Sequence, residues 1–272
     1  MTYCVGIKLD QGMIFASDSR THAEVDNYAS FCKMTVFERP GDRVIVMLSS
    51  GSLAGTQAVI SLLRQRGEED GPSLWKARTM FDVVNLVSDA MRDIDRRDSP
   101  YLRADGASFN ASFILGGQIN GGEMRLFRIY AQGNFIEAGV DTPFLQTGET
   151  KYGKPIIDRV VRPDTSLPDA VKCVLISFDS TMRSNLSVGM PIDLVCYERD
   201  SLHVRMRHRL ENGDAHFEAL RKSWIAGTRR VFAELPEMDW PSEPAASEPT
   251  PTLVTKPEAR HAPRLGVEAR KG

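Results

Sequence analysis

The stretch Met1-Thr2-Tyr3-Cys4-Val5-Gly6-Ile7-Lys8-Leu9 decides how the rest of the chain is interpreted. Its last seven residues are rich in β-formers, and a second such segment, 13–17, follows across Asp10-Gln11-Gly12, a sequence typical of a hairpin turn. If Met1 is removed, which the small side chain of Thr2 favours, the chain begins with a threonine. Its hydroxyl is then a nucleophile and its free α-amine a base. The stretch predicts a strand hairpin with a candidate catalytic residue at its start.

The α-amine of Thr2 can act as a base for its own hydroxyl only when the amine is neutral. A free α-amine has a reference pKa of about 7.7–8.0 and is partly protonated near neutrality, but a neighbouring positive charge lowers that pKa. Lys33 is the candidate for this charge and Asp18 is its candidate partner. Arg20 shares the strand face of Asp18 because side chains repeat with a period of two. Taken singly, each residue is more readily explained as an ordinary strand or surface residue, so the prediction depends on the whole set.

The composition excludes several classes of protein. The 272 residues carry a formal net charge of -2, which gives no overall attraction to nucleic acid or to an anionic membrane surface. The four cysteines are far apart and form no CxxC pair, so neither a metal site nor a disulfide framework is indicated. The sequence shows no signal-peptide pattern and no apolar run of membrane-spanning length. We therefore expect a cytoplasmic protein with no metal or other cofactor.

A basic segment, residues 203–209, places His203, Arg205, Arg207 and Arg209 on one face of a predicted strand. Such a stripe could bind nucleic acid, but no aromatic residues are interleaved with the basic ones and the chain is not basic overall. A solvated or intersubunit face is the favoured interpretation, and we expect no nucleic-acid partner.

The periodicity of apolar residues divides the rest of the chain into strands and helices. Strands are predicted at 34–38, 43–48, 109–115, 124–130, 135–138, 192–197 and 203–209, and helices at 50–67, 81–95, 166–182 and 215–232. Strand hairpins, two helices, more strands and two further helices indicate an α+β layered domain, with helices covering the outer faces of stacked antiparallel sheets.

The composition changes after this domain, which we place at residues 1–235. Seven of the 15 prolines fall within 236–272, mixed with Ala, Ser and Glu. A segment so poor in apolar groups cannot offset the entropy lost on ordering. We predict that residues 236–272 form a disordered tail.

Several motifs together resemble the start of a proteasome β-type subunit: Thr2, the Gly12 turn, Ser17-Asp18-Ser19-Arg20, Lys33 and Ser49-Ser50-Gly51. More narrowly, the strings MTYCVGIKLDQG and FASDSRT, followed later by SNLSVGMPIDL, resemble the bacterial Anbu ("ancestral β subunit") family. The likeness covers about residues 2–232. It implies an N-terminal-nucleophile hydrolase with a four-layer αββα sandwich.

The resemblance also implies roles for individual residues. Thr2 corresponds to the nucleophile, Lys33 to the lysine that lowers the pKa of the amine, and Asp18 to the partner of that lysine. Gly51 corresponds to the glycine whose backbone N–H helps to form an oxyanion hole. This role has its own physical basis here, because Gly51 precedes a predicted helix and N–H groups at a helix start are free to bind negative charge.

The supporting half of the family's site maps less directly. Counting back from Ile192-Asp193 places the family's supporting Asp at Asn185 and leaves Ser187 one place out of register. Asp179 is available further back, but its spacing to a serine differs from the family's. Thr147 is either a supporting hydroxyl or an ordinary residue of a predicted turn at 145–148.

The pocket residues and the supporting cation complete the predicted site. Ser49 lies near the place where related subunits set the floor of their substrate pocket, and Thr21 is a second candidate lining residue. Arg20 is a further candidate for a supporting role.

The favoured function is a threonine peptidase that acts on peptides or unfolded proteins. A non-peptide amidase of the same fold and a catalytically silent assembly scaffold remain open, the second being favoured if Met1 is retained. The family resemblance implies self-assembly into a ring or a helical stack, with exposed apolar faces on the outer helices as subunit contacts. The sequence contains no ATPase signature, so unfolding of substrates would require a separate unfoldase or operon partner.

Overall fold

Two five-stranded antiparallel sheets form the centre of the protein. The computed structural model describes residues 2–22, 28–104 and 106–239, without the side chains of residues 21, 22, 28 and 29. In the first sheet the strand order is β10-β1-β2-β11-β12, and in the second it is β5-β6-β7-β8-β9. The short strands β3 and β4 pair with each other as a separate ribbon.

The strands of the first sheet are β1 (Tyr3–Leu9), β2 (Gly12–Asp18), β10 (Phe144–Gly148), β11 (Ile192–Glu198) and β12 (Met206–Leu210). Those of the second sheet are β5 (Met34–Arg39), β6 (Arg43–Gly51), β7 (Ala111–Ile119), β8 (Arg125–Ile129) and β9 (Phe135–Glu137). The ribbon consists of β3 (Arg20–His22) and β4 (Tyr28–Ser30). The helices are α1 (Leu53–Glu68), α2 (Met80–Ala104), α3 (Lys154–Val160), α4 (Leu167–Ser184) and α5 (Ala215–Ala233).

The buried apolar side chains form three separate layers. One cluster lies between the two sheets and includes Phe15 of the first and Leu48 of the second. A second cluster joins the outer face of the second sheet to α1 and α2. The third joins the outer face of the first sheet to α3, α4 and the start of α5. The order helices, sheet, sheet, helices is the predicted αββα sandwich, and the predicted α+β class is confirmed.

The amino-terminal hairpin lies in the middle of this sandwich. All seven residues of β2 are buried, because α4 covers one face of the sheet and the second sheet covers the other. Tyr3 fixes the start of β1 against α4: its ring centroid lies 4.6 Å from that of Phe178. Its hydroxyl bonds to Ser177 and accepts a hydrogen bond from the Gln146 side chain. The residue after Thr2 is therefore held rigidly.

Several boundaries differ from the sequence predictions, among them the ends of α2 and β7, which lie at Ala104 and Ile119 rather than at 95 and 115. The strand β6 continues through Gly51, and Ser52 rather than Ser50 or Gly51 caps α1, its hydroxyl accepting from the Gly55 N–H. Helix α1 also continues one residue past Gly67, the predicted end of the helix. The last strand begins at Met206, so His203 and Arg205 precede it.

The predicted basic stripe is also divided by ion pairs. Arg205 pairs with Glu198, and Arg209 pairs with both Asp193 and Glu211. Neighbouring carboxylates thus compensate the charges of Arg205 and Arg209 in this stripe.

Four elements were missed by the pattern of apolar residues: the short strands β3 and β4, strand β10 and helix α3. Residues 144–148, partly predicted as a turn, form strand β10 beside β1 with the register Cys4↔Thr147. Its polar residues Gln146 and Thr147 are buried and obscure the apolar pattern of a strand. Helix α3 is only seven residues long and starts with Lys154-Pro155, too short for a periodic signal.

The chain divides into one unit, Met1–Arg229, and a second that begins at Arg230. Residues 240–272, which make up most of the predicted tail, lie outside the described residues. The disordered tail and the boundary at residue 235 therefore stay predictions. Within the described residues, no helix is both long enough and apolar enough to cross a membrane.

Replacing Gly12 with alanine should destabilise the central sheet. A Cβ at this position would lie 2.1 Å from the backbone oxygen of Tyr197 in the neighbouring strand, which cannot move without disturbing the ladder. We expect a loss of about 1–3 kcal/mol in the free energy of unfolding, measured by urea denaturation. Gly139→Ala is the control, because its Cβ would have no heavy atom within 4 Å. Equal stability of the two variants would contradict the close approach of β2 and β11.

Candidate active site

Thr2 lies at the mouth of a cavity of about 500 Å³. Two backbone contacts to β10 set its position: Tyr3 pairs with Gly148, and the Glu149 N–H donates to the Thr2 carbonyl oxygen at 2.7 Å. The cavity is lined by residues from both sheets and from α1: Thr2, Arg20, Lys33, Ser49, Ser50, Gly51, Leu53, Thr56, Asn110, Ser112, Arg128, Thr147 and Gly148.

A buried ion pair lies beside Thr2. The Lys33 ammonium donates to Asp18 Oδ1 at 2.9 Å and to the Arg20 carbonyl oxygen at 2.6 Å. The same carboxylate oxygen accepts the Tyr3 N–H at 2.9 Å, so the pair is attached to the backbone immediately after Thr2. The Asp18 side chain is fully buried and that of Lys33 is 6% exposed. The structure thus brings together the three residues predicted for nucleophile, cation and partner.

The ionisation of Asp18 depends on its partner. Burial raises the pKa of the Asp18 carboxyl, and the Lys33 ammonium and the Tyr3 N–H act in the opposite direction. Each member of the pair therefore offsets the desolvation of the other.

Gly51 lies at the cavity, but not at a helix start as the sequence indicated. It is the last residue of β6 and has a φ of +99°, in the left-handed region that favours glycine. A Cβ there would also lie 2.2 Å from the Asn110 carbonyl oxygen of the adjoining strand. Gly51 lines the same cavity as Thr2, so its N–H stays a candidate oxyanion donor.

A triangle of hydroxyl groups forms the inner wall of the cavity. Thr147 Oγ1 lies 2.8 Å from Ser50 Oγ and 2.7 Å from Ser112 Oγ, and these two serine oxygens are 2.9 Å apart. We call these three residues the hydroxyl triangle. Because they come from three strands, only Thr147 was singled out in the sequence, where a turn residue was the alternative. Ser112 was missed, since a lone serine in a strand carries no recognisable signal.

The other side of Thr2 is supported by a loop after α4. The Asn185 amide donates to Glu149 Oε2 at 2.9 Å, and Asn185 Oδ1 accepts the Ser187 N–H at 2.9 Å. Arg20 donates to the Leu186 carbonyl oxygen at 3.0 Å, which attaches this loop to β3. Asn185 therefore acts on Thr2 through Glu149, whose buried carboxylate the sequence did not identify.

Asp179 is not part of this arrangement. It lies on the side of α4 that faces α5, where its carboxylate accepts from Arg221 Nε at 2.6 Å. Asp179 is not among the residues that line the Thr2 cavity, so the structure does not bring it together with Thr2. The two pocket predictions differ in outcome. Ser49 lines the cavity, whereas the Thr21 side chain lies outside the described residues.

Two larger cavities occur elsewhere, and neither is lined by Thr2. One of about 1020 Å³ lies among α3, α4 and α5, and one of about 1300 Å³ lies between α4 and the β11–β12 edge. We identify the 500 Å³ cavity as the candidate site because both Thr2 and Lys33 line it. In the described part of the chain, no group of three or more His, Cys, Asp or Glu side chains is placed to hold a metal ion.

Comparison with known proteins agrees with the fold. The proteasome subunit family model matches residues 2–196. Anbu from Pseudomonas aeruginosa, solved as a helical assembly, is 48% identical with a TM-score of 0.82, covering 90% of this chain and 100% of that one. An Anbu (Gly-1) mutant from Hyphomicrobium sp. strain MC1 is 47% identical with a TM-score of 0.83, covering 88% and 100%. Anbu from Yersinia bercovieri is 45% identical with a TM-score of 0.82, also covering 88% and 100%. No curated protein matches the chain.

Replacing Asp18 with asparagine should strongly destabilise the fold. The Lys33 ammonium would remain buried without a counter-charge, which costs about 3–5 kcal/mol in the free energy of unfolding. The control is Asp158→Asn, which removes a carboxylate from the exposed Lys154–Asp158 pair and should cost at most about 1 kcal/mol. Denaturant unfolding of both variants measures the difference. Similar losses would show that the buried pair is not a structural requirement.

Proposed function

The chain belongs to the Anbu branch of the proteasome subunit family, and we propose that it is a threonine peptidase that hydrolyses peptide amide bonds through Thr2. Removal of Met1 exposes the α-amine that serves as base. The observation that carries this proposal is the buried Lys33–Asp18 pair: its carboxylate accepts the Tyr3 N–H directly after Thr2, and its ammonium lines the same cavity as Thr2.

The proposed reaction has two steps. The Thr2 hydroxyl attacks the substrate carbonyl while its own amine accepts the proton, and the Gly51 N–H binds the developing oxyanion. The C–N bond breaks, the leaving amine takes the proton, and an ester joins the acyl group to Thr2. Water, deprotonated by the same amine, then hydrolyses this ester and restores the free hydroxyl. The Lys33 ammonium favours the neutral amine by repelling its protonated form.

A silent scaffold is the second candidate, favoured by one observation. Asn185 occupies the position where the family resemblance places a supporting aspartate, and its side-chain amide, which carries no charge, donates to Glu149 Oε2. In this reading the family fold is kept for assembly, and Thr2 is not activated.

Reaction with electrophiles distinguishes these two functions. An epoxyketone peptide reacts with a hydroxyl and a neighbouring amine together, whereas a β-lactone acylates a hydroxyl. We expect the intact mass of the purified protein to lack Met1 and to gain one adduct of either reagent, mapped to Thr2. Thr2→Ala, which also permits removal of Met1, should gain none. Retention of Met1 without an adduct would contradict the peptidase and support the scaffold.

Self-assembly into a homo-oligomer is also proposed, as in the helical assembly of the Pseudomonas aeruginosa relative. The outer helices carry apolar side chains that a monomer would leave in water, among them Val160 of α3, 45% exposed, and Trp224 of α5, 40% exposed. Whether the assembly is a ring or a helical stack stays a prediction, as do a cytoplasmic location, a separate unfoldase or operon partner, and peptide or unfolded-protein substrates.

The mass of the protein in solution tests the assembly. We expect light scattering at micromolar concentration to give a mass well above that of one chain. Trp224→Glu should reduce it, because a charge buried at an apolar contact is costly. Val140→Glu is the control, since Val140 is 79% exposed and lies outside the helices. A monomeric wild type would contradict self-assembly.

A further inference from the structure

The charges that line the Thr2 cavity are all of one sign. Arg20, Lys33 and Arg128 contribute cationic side chains to its wall, and the lining contains no carboxylate. Two of these cations have contacts that explain their place in the fold: Lys33 pairs with Asp18, and Arg20 donates to the Leu186 carbonyl oxygen. The cavity therefore attracts negative charge. Arg128 is the lining cation whose structural role is not explained by these contacts.

Arg128 is held in place without an acidic partner. It forms no ion pair with any residue in the described parts of the chain, and its Nε is buried without a hydrogen-bond partner there. Its guanidinium lies 4.8 Å from the centre of the Tyr130 ring, a cation–π contact that fixes its orientation. A buried guanidinium nitrogen without an acceptor is unfavourable, so this arginine is suited to an acceptor supplied from outside the fold.

The position of Arg128 follows from the strand register. It lies opposite Ile114 in the β7–β8 ladder and on the same strand face as Leu126, and both of these residues pack between the two sheets. The arginine therefore reaches the cavity from the side of the second sheet, where Ser112 of the hydroxyl triangle also lies.

The hydroxyl triangle supplies further donors. Its three oxygens lie within 2.9 Å of one another, and each hydroxyl has one proton, so a hydroxyl that turns from its neighbour towards an entering carboxylate would donate to it alongside the guanidinium. Arginine binds carboxylates through paired N–H donors, and such charge-assisted bonds are stronger than neutral ones. The cavity of about 500 Å³ lies within the range of sites that enclose a small group.

We propose that the cavity binds an acidic side chain of the substrate, adjacent to the scissile amide, with Arg128 as the residue that determines this specificity. The inference rests on the proposed function, since it names the class of peptide that Thr2 would cleave. Arg128 contacts the carboxylate of the substrate and takes no part in the bond changes at Thr2.

Matched peptides test this specificity. Glutamate and glutamine have the same shape and differ in charge, so paired substrates carrying one or the other on the acyl side of the amide isolate the carboxylate. A second pair carries the same change on the leaving-group side. We expect kcat/KM to favour glutamate by about tenfold in one of the two pairs, as befits one charge-assisted contact. Equal rates in both pairs would overturn the inference.

Variants on the same strand assign the effect to Arg128. Arg128→Gln should bring the glutamate-to-glutamine ratio to about one, since the charge that distinguishes the two peptides is then absent. Arg125→Gln is the matched control. It removes the same charge from β8, but Arg125 pairs with Glu137 away from the cavity, so the ratio should persist. A preference that survives Arg128→Gln would overturn the assignment.

A binding measurement separates failure of this inference from failure of the proposed function. Thr2→Ala cannot be acylated, but its cavity keeps Arg128, so fluorescence anisotropy can compare the labelled glutamate and glutamine peptides. Tighter binding of glutamate that is lost in Thr2→Ala/Arg128→Gln supports the site even if the wild type proves inert towards electrophiles. Equal binding, or no binding of either peptide, overturns it whatever the reactivity of Thr2.

Discussion

The buried ion pair between Asp18 and Lys33 is the interaction on which the candidate site depends. Two charges removed from water are tolerated only when each compensates the other and further hydrogen bonds complete the set. Here the Tyr3 N–H and the Arg20 carbonyl oxygen complete it. The Asp18 carboxylate therefore attaches the pair to the backbone after Thr2, and the Lys33 ammonium lines the same cavity as Thr2.

The αββα sandwich provides the burial that makes the charges of this ion pair depend on each other. Helices on one side and the second sheet on the other bury every residue of β2, which places Asp18 where only a neighbouring cation can stabilise its charge. At one end of the interface between the sheets, apolar packing gives way to hydroxyl groups from β6, β7 and β10. The cavity thus lies beside the apolar core between the sheets, and polar groups line its wall. This composition is expected of a site that orients a polar group.

Much of the fold was predictable because strands and helices leave different periods in the sequence. The hairpin at 3–17, helices α4 and α5 and the start of α2 were placed near their observed bounds, since their apolar residues are evenly spaced, but α2 continues to Ala104, past its predicted end at 95. Strand β10 was missed because its buried residues include Gln146 and Thr147, whose partners are supplied by tertiary contacts. The start of α1 was displaced because Ser50, Gly51 and Ser52 all carry helix-start or turn signals, and only the ladder to Ala111 assigns Gly51 to β6.

By itself the sequence determined the family, the layered fold, the candidate nucleophile and two of the residues beside it. It could do so because Thr2, Asp18 and Lys33 lie within one local hairpin and the segment after it, where spacing along the chain constrains distance in space. Only the tertiary structure decided which distant strands border Thr2. Thr147 meets Ser50 across 97 residues and Asn185 meets Glu149 across 36, and Asp179 is turned away towards Arg221. A period of two assigns a side chain to a face of its strand, but the order of strands in the sheets decides which faces meet.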